Sequence, residues 1–327
     1  MKRVLHIGPA RTRGGMASVI GLLATHPPEG WVAEVLPSHA TGSLLRKLEA
    51  WRQAKTSLRI HLDQDPPDLI HVHTAADWSY ARKRRVLWMA HEANIPSVLH
   101  IHSGRFDHWC ASRGGRPGTR VHEDLEATRA LPVVLAPIWS ERLAPWIQGA
   151  FVIPNPVDPT INVGPHDARE PRMALLIGRD DRVKGGSIAY DAVERVGNWS
   201  LETTMAVRGH APWFTRHGWV DEAQKQRLLH RATVLLLPST YEGQPMVALE
   251  ALASGCPVLA SSSLEPVLPR GVQLVDGETV EAWASALRTM EDTSPTTLDR
   301  ASGLDQHRIG SVRSRWAEAY AMASSMR

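Results

Sequence analysis

Cysteine is scarce in these 327 residues: Cys110 and Cys256 are the only two, so neither a disulfide framework nor a cysteine-built zinc cluster is available. Long apolar runs are missing as well. None approaches the ~18 residues of a membrane span, and the stretch Met1–Gly8 is too short in apolar residues for a signal peptide. Export and membrane spanning are therefore not expected, and a cytoplasmic location is. Short-period repeats and low-complexity tracts are absent too, which sets solenoids and disordered linkers aside. What remains is ordinary globular material, 43% hydrophobic and 22% charged, of a length that suits two domains.

Charge is spread unevenly. Residues 1–163 carry 19 Lys and Arg against 14 Asp and Glu, net +5, while the rest carry 18 against 20, net −2, summing to the chain's +3. A basic first half suits an anionic partner: nucleic acid, an acidic membrane or a phosphorylated ligand. The basic residues are scattered apart from Arg82-Lys83-Arg84-Arg85 and a loop from Arg113 to Arg120, and no nucleic-acid module is recognisable among them. A solvated surface accounts for each cluster equally well.

Short apolar runs alternate with amphipathic stretches. Arg3–Ile7, Trp31–Leu36, Leu69–His73, Ser97–Ile101, Val133–Ala136 and Ala150–Ile153 read as strands, several continuously apolar, as parallel strands covered on both faces should be. Met16–Ala24, Ser43–Leu62, Trp78–Ala93 and Ser140–Trp146 read as the helices between them. The pattern restarts at Arg172–Ile177 after the turn-rich Pro154-Asn155-Pro156-Val157-Asp158-Pro159. The fold class is thus α/β, two Rossmann-like doubly wound domains facing each other across a cleft. The expected division is 1–163, joined by a closing helix at about 312–327, and 164–311.

Three glycine-bearing turns carry chemistry. The first, Gly8 to Met16 with Gly14-Gly15, opens a helix but has neither the Gly-x-Gly-x-x-Gly spacing nor a Walker lysine, which weakens dinucleotide and P-loop readings. The second, Gly178-Arg179-Asp180-Asp181-Arg182-Val183-Lys184-Gly185-Gly186, sets a forked guanidinium and an ammonium beside a helix start, an arrangement that suits a diphosphate. The third runs Tyr241-Glu242-Gly243-Gln244-Pro245-Met246 into a helix that contains Glu250. Amides of Gly243, Gln244 and Met246 can face phosphate oxygens there, and the two carboxylates can each accept from vicinal hydroxyls of a sugar or ribose.

Glu242-x7-Glu250, with Pro238-Ser239 before it and Ala253-Ser254-Gly255-Cys256-Pro257-Val258 after it, resembles the family 4 glycosyltransferases of the GT-B fold. Gly14-Gly15-Met16, Asp68-Leu69-Ile70-His71-Val72-His73, His100-Ile101-His102-Ser103-Gly104, Asn155-Pro156-Val157-Asp158 and Gly178-Arg179 with Lys184-Gly185 follow in that family's order, over residues 3 to about 320. The resemblance implies retaining transfer of a sugar from a nucleoside diphosphate donor, UDP- or GDP-linked, to an unidentified acceptor. It implies no cofactor, no metal and no covalent carboxylate intermediate. Arg179 and Lys184 would hold the diphosphate, with Gly178 and the Gly243–Met246 segment completing that site. Glu250 would bind ribose, Glu242 a sugar hydroxyl, and His102 would lie near the donor sugar. Gly14 and Gly15 would let the first loop approach the phosphates, and His73 and Arg105 would lie on the acceptor side.

The sequence departs from the family pattern in two places. Gly243-Gln244-Pro245-Met246 stands where Gly-Phe-Gly is common, which leaves the donor sugar open. Residues 207–218 are compressed, so Trp219-Val220 fall where the base is often contacted. His71/His73 and His100/His102 alternate along strands and can either line a polar site or hold a metal; no convergent carboxylate accompanies them. Trp78, Tyr80, Trp88 and Met89 around Arg82–Arg85, with Phe106, His108 and Trp109, suggest peripheral membrane contact through the N-terminal half, or simply core on one face and solvated charge on the other. Two rival functions share this architecture: a nucleotide-sugar epimerase, and a nucleotide-sugar binding protein without catalysis.

Overall fold

The computed structural model of the chain describes residues 1–165, 168–292 and 302–326. The chain divides into two units, Met1–Pro156 with Ile309–Arg327, and Val157–Arg308. The divide falls within the proline-rich segment, ahead of the expected residue 163.

In the first unit, β1 (Lys2–Gly8), β2 (Trp31–Pro37), β3 (Leu69–Thr74), β4 (Ser97–Ile101), β5 (Leu131–Val134) and β6 (Phe151–Val152) form a parallel sheet in the order β2-β1-β3-β4-β5-β6. Helices α1 (Gly15–Thr25), α2 (Leu44–Gln64), α3 (Trp78–Glu92), α4 (Phe106–Ala111), α5 (Arg116–Thr128) and α6 (Pro137–Leu143) connect these strands. Every residue of β3 and β4 is buried, which is why their sequences lack the alternation of a half-exposed strand.

The second unit repeats the plan. Strands β7 (Met173–Leu176), β8 (Ser200–Thr203), β9 (Phe214–Arg216), β10 (Val234–Leu237), β11 (Val258–Ser261) and β12 (Gln273–Val275) are parallel in the order β12-β11-β10-β7-β8-β9. They alternate with α7 (Gly186–Val196), α8 (Glu222–Arg231), α9 (Met246–Ala253) and α10 (Val280–Asp292). Trp283 of α10 is fully buried with Ala189, Ala192 and Val193 of α7 in the core under this sheet. α7 stops at Gly197, whose φ of 82° suits a glycine and whose N–H caps Val193. A last helix, α11 (Ile309–Ser325), returns to the first unit.

One expectation needs correction, and of the two readings open for α3 the packing favours core on one face. The segment Arg113–Arg120 is not a loop throughout. Arg113, Gly114 and Gly115 take φ values of 51°, 69° and 82°, and α5 then starts with a proline in its first turn, so Arg116 and Arg120 are helical. The aromatic and basic face proposed on α3 is also divided. Tyr80, Met89 and Phe106 are buried, while Asp124 of α5 accepts from Tyr80 Oη (2.9 Å), Arg84 (2.7 and 2.8 Å) and Trp88 Nε1 (2.9 Å). Those α3 groups hold α5 in place; Trp78 stays exposed.

β7 and β10 are neighbours, so the loops that follow them emerge side by side. Gly185 locks the two loops together. Its φ is 65°, a Cβ there would stand 2.3 Å from the Pro238 carbonyl oxygen, and Thr240 N donates to Val183 O at 2.9 Å. Replacing Gly185 with Ala should cost about 2–4 kcal/mol, combining left-handed strain with forced displacement of backbone. Urea denaturation checks this, and a loss below about 1 kcal/mol would mean the loops separate freely.

Candidate functional site

The second unit assembles the motif residues at the carboxyl ends of β7 and β10, beside the point where the strand order reverses and where open α/β sheets bind ligands. Gly178 N donates to Thr204 Oγ1 at 3.1 Å, and Asp180 accepts from Ala206 N, so the loop after β7 is tied to the end of β8. Asp181 caps the single turn Arg182–Lys184, which presents the Lys184 side chain towards the β10 loop. There Lys184 Nζ forms a close ion pair with Glu242 Oε1, which also accepts from Ser239 Oγ at 2.9 Å. Arg179 sits exposed at the head of the same loop, and no hydrogen bond or ion pair links it to Lys184 or Glu242 among the described residues.

Pro245 forms the N-cap of α9, with φ −76° and no side-chain capping bond. Gln244 and Met246 are 9% exposed beside it. One turn into the helix, Glu250 is 6% exposed. Burial pushes its carboxyl up, and Lys225 partly offsets this from 2.8 Å. Lys225 also pairs with Glu222 at 2.6 Å. Burial alone would lower this ammonium, but the two carboxylates outweigh burial and raise it. Lys225 is the residue that the sequence did not reveal, because nothing in the spacing joins position 225 on α8 to position 250 on α9. Trp219 is half exposed and Val220 buried, just before Asp221 caps α8 by accepting from Gln224 N at 2.7 Å.

In the first unit, Gly14 is the N-cap of α1 at φ 126° and Gly15 its first residue. Arg105 is the exposed N-cap of α4. The histidines converge further than expected, since His6 of β1 joins them through its register with His71. Two hydrogen-bonded branches result. One runs Tyr320 Oη to His71 Nδ1 (2.9 Å) and His71 Nε2 to His100 Nδ1 (3.1 Å). The other runs His6 Nδ1 to His73 Nε2 (3.0 Å) and His73 Nδ1 to His102 Nε2 (2.9 Å). His73 has no exposed surface and both its ring nitrogens are engaged, so it offers a ligand no direct contact, whereas His102 is only partly buried.

Two trios, His6-His71-His73 and His73-His100-His102, bring ligand atoms within 4.8 Å of one another. Their chemistry suits a soft divalent metal in type but brings no carboxylate to balance its charge. Burial holds the His6 and His102 rings down at about 3 and lowers His71, His73 and His100 well below 6.5, so all five are neutral. Both cysteines are buried, and burial with Asp107 pushes the Cys110 thiol up to about 12, which leaves it unreactive.

Residues 175–292 match the family model Glycosyl transferases group 1. Over the whole length, the fold matches sucrose-phosphate synthase from Thermosynechococcus elongatus at TM-score 0.67 and 20% identity, covering 100% of this chain and 97% of that one. The chain resembles the family 4 glycosyltransferases of the GT-B fold. A second GT-B match is the catalytic domain of starch synthase IV from Arabidopsis thaliana, solved with ADP and acarbose, at TM-score 0.64 and 13% identity over 99% of each chain. By sequence, the chain is 26% identical over 276 residues to glycogen synthase of Mycobacterium tuberculosis, covering 73% of this chain and spanning 64% of that protein's length. The GT-B architecture of two parallel sheets expected from the sequence is therefore present. Among the described residues no helix is long and apolar enough to cross a membrane.

The neutral histidines give stability a pH dependence. Their folded pKa values lie below the unfolded 6.5, so the unfolded chain binds more protons on the acid side. Their contribution is whole above pH 6.5 and is lost as pH falls from there towards about 3. Denaturation midpoints should fall below pH 6.5, less steeply in His6→Gln; equal slopes in the two proteins would refute this account.

Proposed function

We propose that this protein is a retaining glycosyltransferase that moves a sugar from a nucleoside diphosphate donor to an acceptor hydroxyl. The observation that carries this reading is the Lys184–Glu242 contact at the β7–β10 switch, with the buried carboxylate of Glu250 one turn into α9. Donor diphosphate competes with Glu242 for Lys184. As the phosphates take the ammonium, Glu242 is released to accept from a sugar hydroxyl, so one ion pair is exchanged for two donor contacts. The exposed Arg179 adds a guanidinium as charge develops on the departing diphosphate, and the positive end of the α9 dipole favours the same charge. Glu250, whose carboxyl burial pushes up and Lys225 partly holds back, accepts from the ribose hydroxyls, and Val220 with Trp219 borders the base.

The ADP bound to the starch synthase of the same fold supports the nucleotide part of this reading. No metal takes part, because Lys184 and Arg179 supply the positive charge. The leaving oxygen and the incoming hydroxyl use one face of the sugar.

We also place membrane contact on α2 of the first unit rather than on α3. Leu44, Leu45 and Leu48 are 71%, 78% and 46% exposed and are interleaved with Arg46 and Lys47, while Arg52, Lys55 and Arg59 continue the basic surface. Apolar side chains between cations on one helix suit the interface of an anionic bilayer.

Lys184→Ala should lower turnover about 100-fold or more, as loss of a preorganised transition-state contact does, while Glu250→Ala should chiefly weaken nucleoside diphosphate binding in calorimetry. Wild-type turnover in the first, or unchanged affinity in the second, would overturn those roles. For α2, co-sedimentation with phosphatidylglycerol vesicles at low salt should be strong for the wild type and largely lost in Leu44→Asp/Leu45→Asp. Equal pelleting of the two proteins would remove α2 from the membrane.

A further inference from the structure

The first unit contains a second cationic centre, which the donor reading does not use. Lys83 of α3 is 1% exposed, and its ammonium donates to the hydroxyl of Ser38, itself fully buried at the end of β2. Ser38 is fixed by its own N–H, which donates to Gly8 O at 2.8 Å at the end of β1. Beside Lys83 in sequence, Arg82 has its Nε buried; next to Ser38, His39 has its Nδ1 buried. Among the described residues neither atom has a hydrogen-bond partner. His39 feels the charges of Arg82, Lys47 and Lys83, so the four groups share one neighbourhood. Among the described residues no carboxylate acts on Arg82, Lys83 or His39, whereas Arg84 on the same helix has Asp124.

A buried ammonium with only a hydroxyl for company is costly, and so is a buried guanidinium N–H with nothing to donate to. Natural interiors rarely keep such groups together unless something of opposite charge completes them. The place fits a ligand as well. Ser38 and His39 leave the carboxyl end of β2, the edge at which open α/β sheets bind, and on the strand next to β1.

We propose that Lys83, Arg82, His39 and Ser38 form a binding site for a phosphoryl group, separate from the donor diphosphate site of the second unit. An ammonium, a guanidinium N–H and an imidazole nitrogen approach from α3 and from the segment after β2. Three donors of this kind match the three terminal oxygens of a phosphate monoester, where a carboxylate would leave one donor unused; the Arg82 guanidinium is a permanent cation, and a bound anion would keep protonated the Lys83 amine that burial holds down to about 7. Lys47 in the first turn of α2 adds to the positive field. The phosphoryl group belongs either to a soluble phosphorylated acceptor or to a lipid headgroup. Both would meet the same donors, and the inference stands whether or not the second unit binds a nucleotide sugar.

The test uses the full chain carrying Lys184→Ala, so that phosphate binding at the second unit is weakened and the Lys83-dependent part of the response reports the first unit. Inorganic phosphate should raise its melting temperature in a saturable way, as a ligand that binds only the folded state does. Adding Lys83→Met should abolish that rise while leaving the phosphate-free protein as stable or more so, since a buried unpaired charge is replaced by an apolar chain of similar length. Arg82→Gln, which keeps a polar group at a half-buried position, should weaken phosphate at least tenfold. Glycerol 3-phosphate and phosphatidic-acid vesicles form the two source arms: Lys83-dependent binding of the first indicates a soluble monoester, of the vesicles alone a lipid headgroup. The proposal fails if phosphate does not stabilise the Lys184→Ala protein. It also fails if Lys83→Met and Arg82→Gln keep the full phosphate response, or if Lys83→Met alone simply destabilises, as a purely structural lysine would.

Discussion

β1 and β7 are the first strands of their sheets, yet each ends up inside its sheet with neighbours on both sides. The chain leaves the strand towards one edge and later comes back to pair on the other side, so two loops part at the carboxyl end and leave backbone groups there unused by the sheet. Everything chemical in this protein is gathered at those two places. In the second unit the β7 and β10 loops bring Lys184 to Glu242; in the first, the ends of β1 and β2 carry Gly8 and Ser38, and β1, β3 and β4 align the histidines in register.

The two places are solved with opposite electrostatics. At the β7–β10 edge every buried charge has a counter-charge: Lys184 has Glu242, and Lys225 is shared by Glu250 and Glu222. Charges held this way are ready for exchange, because a ligand that takes one partner releases the other. Under the first sheet the polar groups are neutral rings hydrogen-bonded to one another, while Arg82 and Lys83, whose ammonium burial holds down to about 7, have no acid beside them among the described residues.

Much of this was legible beforehand because parallel sheets write their strands as apolar runs, and because the turns after β7 and before α9 have residue types that suit a ligand-facing edge. The short strands β9 and β12 were not legible. Phe214-Thr215-Arg216 and Gln273-Leu274-Val275 lie at the sheet edges, where pairing on one side suffices and polar residues are tolerated. α5 was hidden by the glycines and arginines of its entry, although Pro117 in its first turn was a helix-start signal. Contacts between distant positions stayed out of reach for a different reason. Lys225 with Glu250, His6 with His73 and Lys83 with Ser38 depend on strand order, which periodicity does not encode.

Trp316 and Tyr320 of α11 close the histidine cluster, with ring centroids of Trp316 at 4.4 Å and 4.9 Å from His71 and His100. The first unit is therefore split in sequence, with the whole of the second unit inserted before its last helix. During synthesis the usual order of domain completion is reversed. Val157–Arg308 is continuous and has all its strands once it has left the ribosome, whereas the unit that was started first must wait with its histidine face uncovered until residues 309–325 arrive. For that interval the nascent chain presents a row of unprotonated imidazoles on an open sheet face, a surface on which chaperones or free metal ions can act before the native helix does.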